Sequence, residues 1–304
     1  MKTGFRGQGS GFRGQGSGFR IVGFLLLFLF CTLYPVPCTL TFAEDWKEHG
    51  SDHFIIFYTG DRSFANDVAR NAEIYYKKIA VGLGYPRYSE FWTWNNRVKV
   101  YIYPDHAAYV EASEMPKWSH GMADYEKRII MSYVWSEVFI DSILPHEIAH
   151  LIFRDFVGFT GKIPLWLDEG VAQWSEEKKR REMKELAKAA YEEDQLLSLD
   201  DLVELDIMRL KDVEKIYIRP TVTKSGDPAT LILDTNSLVS SYYLVSVSLI
   251  DFLIERYGSA RFAQFCRELR DKKSVEDALR LAYSEKVHNL KELENNWRKS
   301  FAEE

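Results

Sequence analysis

The sequence is short of cysteine. Three occur in 304 residues, and Cys31 and Cys38 both fall in the N-terminal segment. Cys266 stands alone in the body, so no intramolecular disulfide can form there, even in an oxidising compartment. Acid is missing from residues 1–43, whose only charges are Lys2, Arg6, Arg13 and Arg20. A chain starting after them carries 35 basic against 45 acidic residues, a net charge of about −10. Such a body lacks the concentrated basic face of a nucleic-acid binder, and no nucleic-acid partner is expected. A Gly/Ser-rich linker is also absent after residue 44, which points to one domain. What is abundant is apolar surface: 46% hydrophobic and 14% aromatic residues fill a sizeable core and exclude a disordered or collagen-like chain.

Residues 1–20 form a tandem Gly-rich basic heptad repeat, too short to be a folded unit, and residues 21–34 are apolar and uncharged. This is the n-region and h-region pattern of export. Fourteen residues are short for a membrane span of about twenty, and Thr41-Phe42-Ala43 offers small residues at the positions that precede cleavage. The absence of charge runs on to Ala43, so a signal peptide cleaved after Ala43 and an uncleaved anchor with its basic end inside both stay open. Either puts the body outside the cytoplasm: periplasmic, extracellular or anchored to the outer face of the membrane. A lipoprotein is disfavoured because Pro35-Val36-Pro37 precedes Cys38.

Short apolar or alternating runs at 53–58, 97–103 and 128–133 predict strands, and the spacing of Phe64, Val68, Ala72, Tyr75, Tyr76, Ile79 and Leu83 predicts a helix stopped at Gly84. From about residue 140 the periodicity is mostly helical: 142–156, 165–192, 239–257, 260–271, 275–283 and 290–301. Ser198 with Asp201 and Ser274 with Asp277 have capping-box spacing. Two β-rich runs flanking Lys224-Ser-Gly-Asp-Pro228 predict a hairpin within 214–236, either overhanging a cleft or peripheral.

Histidine is scarce, seven residues in all, yet His146-Glu147-Ile148-Ala149-His150 places two of them at i and i+4. On a helix both imidazoles reach one metal ion from one face, and Glu147 lies beside them. Eighteen residues separate His150 from Glu169, which opens a further helix begun by Pro164, a spacing that lets a loop turn back through Gly161. His146, His150 and Glu169 as ligands of one Zn2+ leave a fourth position for water. Zinc lowers the pKa of that water to about 7, and Glu147 is placed to take its proton during attack on a carbonyl and pass it to the leaving amine. The bland alternative is a solvated pair of histidines and an acidic helix start at Asp168-Glu169.

The pattern H-E-x-x-H, eighteen residues, Glu-Gly-x-Ala resembles the gluzincin zinc metallopeptidases. Within them, Leu-Pro-His-Glu-Ile-Ala-His-Leu and Pro-Leu-Trp-Leu-Asp-Glu-Gly-Val-Ala are similar to the bacterial peptidase-MA-like domains. The match is sharp over 144–172 and loose over 53–301. The resemblance implies a zincin-like α+β fold, His146, His150 and Glu169 on the zinc, and Glu147 as general base. It also implies an oxyanion-stabilising tyrosine on the helix ending Leu253-Ile-Glu-Arg-Tyr-Gly258. Tyr243 is preferred, with Ser246 three residues on, and Tyr242 is the alternative; adjacent side chains diverge by about 100°, so only one faces the metal.

Pro145 predicts that the zinc helix starts near Asp141 or Ser142, or bends there. Glu176 is either a carboxylate orienting a ligand or, in the simpler reading, an exposed helix residue. His120 to Asp124 is either an edge strand able to pair with a peptide or a surface turn. His49, His53, His106 and His288 read as structural, and the charge run 178–188 as a solvated helix face. The expectation is a zinc-dependent metallopeptidase acting on peptides or proteins, with a signal or anchor at 1–43 and a catalytic domain at 44–304. A strand-bearing N-lobe (about 44–158) and a helical C-lobe (about 159–304) meet at the cleft. A non-catalytic peptide-binding or scaffolding module and zinc hydrolysis of a non-peptide bond are the alternatives.

Overall fold

The computed structural model describes residues 45–85, 92–117, 119–134, 138–158, 163–210 and 215–303. The chain divides into two units, Met1–Ala43 and Glu44–Glu304, and everything described lies in the second. The proposed export signal or anchor, the turn through Gly161 and residue 214 at the edge of the insert lie outside the described residues.

The first half builds a five-stranded mixed sheet from β1 (Lys47–Gly50), β2 (Phe54–Tyr58), β3 (Val98–Tyr103), β4 (Gly121–Asp124) and β5 (Ile129–Tyr133), in the order β1-β2-β3-β5-β4. β2, β3 and β5 run parallel, and the two outer strands are antiparallel to their neighbours. His120-Gly-Met-Ala-Asp124 thus ends as the edge strand rather than a turn. Strand alternation sorts the faces. Phe54, Ile56, Val98, Val100, Ile102 and Ile130 point into the main core. On the other face Tyr103 and Tyr133 join Tyr109 of the short helix α2 (His106–Ser113), with Trp46, Met122 and Met131 against them.

Helix α1 (Arg62–Gly82) lies on the core face. Asp61 caps it by accepting from Ser63 N–H, a stripe from Ala65 to Ala80 is buried, and the chain leaves through Leu83 and Gly84 at φ +83°. Beside it runs α3 (Leu144–Val157), entered through a π-helical turn at Phe139–Ile143. Pro145 explains that entry: it has no N–H to give residue 141 and its ring crowds the carbonyl there, so the preceding turn widens.

The second half is helical: α4 (Leu165–Ser175), α5 (Glu177–Glu192), α6 (Leu199–Glu204), α7 (Thr235–Tyr257), α8 (Ser259–Arg270), α9 (Val275–Ala282) and α10 (Leu290–Glu303). Ser198 and Ser274 cap α6 and α9 at the spacing read from the sequence. The hairpin is present as β6 (Ile216–Val222) and β7 (Pro228–Asp234), turning through Gly226 at φ +90°. Arg298 of α10 donates to Val222 O and Leu196 O, and Arg219 pairs with Asp201 of α6. The whole is mixed α/β, strand-bearing first and mostly helical after. Helix α7 is long and apolar enough to cross a membrane, but its residues from Val245 to Leu253 are buried in the core.

One expected helix is two. The 165–192 periodicity breaks at Glu176, whose backbone sits at φ −80°, ψ 85° between α4 and α5. Neither glycine nor proline marks the break, and its cause is the carboxylate, drawn inward as described below.

Helix α4 crosses α7 so closely that a Cβ on Gly170 would meet Ile250 Cγ1 at 2.9 Å and Ser246 O at 3.0 Å. The glycine fixes the depth at which its neighbour Glu169 sits. Gly170→Ala is expected to cost about 1–3 kcal/mol as an overpacked contact, measured as a fall in the urea midpoint with unchanged m-value; an unchanged midpoint would show that the helices part freely.

Candidate metal centre

His146 and His150 project from one face of α3, one turn apart, while Ile148, Leu151 and Ile152 face the core and are fully buried or nearly so. Glu169 projects from the first half of α4. The three offer one ligand atom each within 4.8 Å of one another. The imidazole Nε2 atoms are 3.3 Å apart, and each lies 3.9 Å from a Glu169 carboxylate oxygen.

The far ring nitrogens are also held. His146 Nδ1 donates to Glu176 Oε1 at 2.9 Å, and His150 Nδ1 donates to Asp168 Oδ1 at 2.9 Å. Burial disfavours charge on both carboxyls, but His146, Lys179 and Ser142 hold Glu176 below the usual carboxylate range, and His150 and Arg154 do the same for Asp168. An ionised carboxylate only accepts, so each ring keeps a proton on Nδ1 and, in its neutral form, turns a lone pair outward at Nε2. Burial opposes a second proton on His150, yet Asp168 and Glu169 outweigh it and raise that imidazole to about 9.

This donor set fits a metal ion. Ligands about 2.0–2.1 Å from a tetrahedral zinc stand about 3.3 Å apart, the separation found between the two Nε2 atoms, and the carboxylate oxygens need only a small approach. Carboxylates behind both histidines are the arrangement that fixes tautomer and ring orientation at metal sites.

No protein-family model matches the chain, and no curated protein matches it. Function has to be argued from these side chains.

Glu147 is buried beside the histidines, and burial raises its carboxyl above the ordinary glutamate range despite the two imidazoles. Strand β4 passes directly over it: a Cβ on Gly121 would collide with Ile143 and come within 3.5 Å of Glu147 Oε1. The sheet edge and the candidate base therefore lie close together, with the Ile143 side chain filling the space beside Gly121.

The two tyrosines of α7 separate as their 100° divergence requires. Tyr242 is fully buried, and the backbone N–H of Trp166 acts on its hydroxyl, so it packs against the first turn of α4. Tyr243 is half-buried, and burial together with the Glu169 charge pushes its hydroxyl up to about 12. The Glu169 charge acts on both tyrosines, and among the described residues no hydrogen bond occupies the Tyr243 hydroxyl. His53 pairs with Glu73, His106 with Ser119 O and His288 with Glu292, as befits structural residues.

The exposed reading of Glu176 is wrong: it is 2% exposed and binds both His146 and Ser142 Oγ. Asp168 was legible only as a helix-start acid. The missed signal is its setting, since Leu-Trp-Leu-Asp-Glu-Gly-Val-Ala is apolar on nearly every side and an acid buried there needs a partner. Asp168→Asn and Glu176→Gln are each expected to weaken zinc binding about 10–100-fold, and Glu169→Ala by more. Competition against a chelator of known affinity measures this; equal affinity in all three variants would exclude the site.

Proposed function

We propose that the protein is a zinc-dependent metallopeptidase with a zincin-like fold, its cleft lying between the sheet edge and the helices that follow α3. The observation that carries this reading is the convergence of two Nδ1-anchored imidazoles and one carboxylate beside a buried glutamate. His146, His150 and Glu169 hold the metal. When bound, the ion supplies a Lewis acid to the substrate carbonyl and lowers the pKa of water.

The remaining chemistry belongs to the chain. Glu147, its proton affinity raised by burial, takes the proton of the attacking water and returns it to the departing amine, so one carboxylate serves both steps. Tyr243, still protonated at neutral pH, donates to the oxygen on which negative charge develops. Strand β4 offers its outer edge to an extended peptide, close to Glu147. The apolar, uncharged segment after the basic leader supports export of this activity.

The test is cleavage of an unbiased peptide library by the full chain loaded with one equivalent of zinc, read by mass spectrometry. Glu147→Ala is expected to retain zinc and lose all cuts; turnover that survives this change ends the mechanism. Bound zinc with no cuts from the unaltered protein would instead favour a peptide-binding module. Tyr243→Phe is expected to lower kcat about 10²–10³-fold with metal affinity intact, whereas Tyr242→Phe should act on stability, by about 1 kcal/mol. Equal kcat in both variants would remove Tyr243 from the reaction.

A further inference from the structure

The face of α3 that carries His146 and His150 continues one turn further to Arg154. Its Nη2 donates to Asp168 Oδ2 at 3.3 Å, while Oδ1 of the same carboxylate takes the Nδ1 proton of His150. Tyr125, the first residue after edge strand β4, lays its ring over the guanidinium, 3.9 Å from centroid to Cζ. The same ring stands edge-to-face with the His150 imidazole at 6.1 Å. Arg154 Nε is buried without a partner, so the guanidinium is held by the Asp168 carboxylate and by Tyr125, whose ring covers it and whose hydroxyl hydrogen-bonds to it. Beyond it, Arg128 pairs with Asp155 at 3.1 Å, tying the far end of the β4–β5 turn to α3 as well.

We propose that Tyr125, Arg154 and Asp168 form a clasp in which Arg154 is a positioning residue for His150, and that through Tyr125 the edge strand is tied to the metal centre. This rests on reading His146, His150 and Glu169 as a metal site. The carboxylate bridges two donors, one on each oxygen, so it cannot turn towards one without leaving the other. Without the guanidinium, Oδ2 loses its partner, the Asp168 carboxylate is free to rotate, and the His150 ring loses its fixed plane. Without the Tyr125 ring, the guanidinium loses the cover that keeps it against Asp168. A purely electrostatic role has the opposite sign: a cation this near a divalent ion repels it, and removing the charge would tighten binding. Positioning and repulsion are therefore told apart by the direction of a single change.

The experiment measures the zinc dissociation constant of the full chain by chelator competition, and the visible absorption of the cobalt-loaded protein as a report on ligand geometry. Arg154→Met is expected to weaken zinc about tenfold or more and to alter the cobalt spectrum. Tyr125→Leu should weaken it several-fold and Tyr125→Phe by less, because the ring is kept and only the hydroxyl's hydrogen bond is lost. Arg154→Met combined with Asp168→Asn should be no weaker than Asp168→Asn alone, since the arginine acts through that carboxylate. The Tyr125 pair, which leaves the arginine in place, carries the test if Arg154→Met fails to fold. Zinc bound by Arg154→Met as tightly as by the unaltered chain or more so, additive effects in the double variant, or equal affinity in Tyr125→Leu and Tyr125→Phe would overturn the clasp. An unaltered chain that binds no zinc would remove the metal reading and the clasp together, whereas tight binding that Arg154→Met leaves unchanged removes the clasp alone.

Discussion

Two histidines four residues apart present a common point only if each ring is stopped from rotating. Here the stop is a hydrogen bond from Nδ1 to a buried carboxylate, Glu176 behind His146 and Asp168 behind His150. Burying an ionised carboxylate is costly unless it is paired and fully hydrogen-bonded. The surrounding structure meets that demand: Ser142 and Lys179 complete Glu176, and Arg154 completes Asp168. Much of the local architecture follows from it.

Glu176 reaches inward only because the chain leaves helical geometry there, which separates α4 from α5. Ser142 reaches Glu176 from the π-helical turn, which Pro145 makes favourable by removing a donor from the first turn of α3. Ser175, at the end of α4, donates to Pro145 O and closes the same circuit. Helix α4 must then lie deep between α3 and α7, and Gly170 is the residue that lets it. One set of contacts thus sets the break, the wide turn and the helix crossing.

The main elements were legible because their signals are local. Short apolar runs marked β2 and β5, alternation marked β3, a one-sided apolar stripe marked α1, and Ser198 and Ser274 marked two caps. The missed parts depend on distant partners. Strand β1 has little pattern of its own and exists by pairing with β2. Whether residues 120–124 formed an edge strand or a turn was decided by the register of Met122 against Met131. The break at Glu176 carries no local mark at all, since its cause sits thirty residues away at His146.

By itself the sequence determined the chemistry on offer: two imidazoles and a glutamate on one turn of helix, a carboxylate after eighteen intervening residues, and a helix with two adjacent tyrosines. Helical periodicity is a property of neighbours, so these could be placed on their faces before any fold was known. Only the tertiary structure decided that Asp168 and Glu176 stand behind the histidines, that Tyr242 is fully buried while Tyr243 is half-buried, and that Tyr125 packs against both Arg154 and His150. The physical reason is that a carboxylate or hydroxyl is defined by what desolvates it and what bonds to it, and those partners come from elements that meet only when the core is packed.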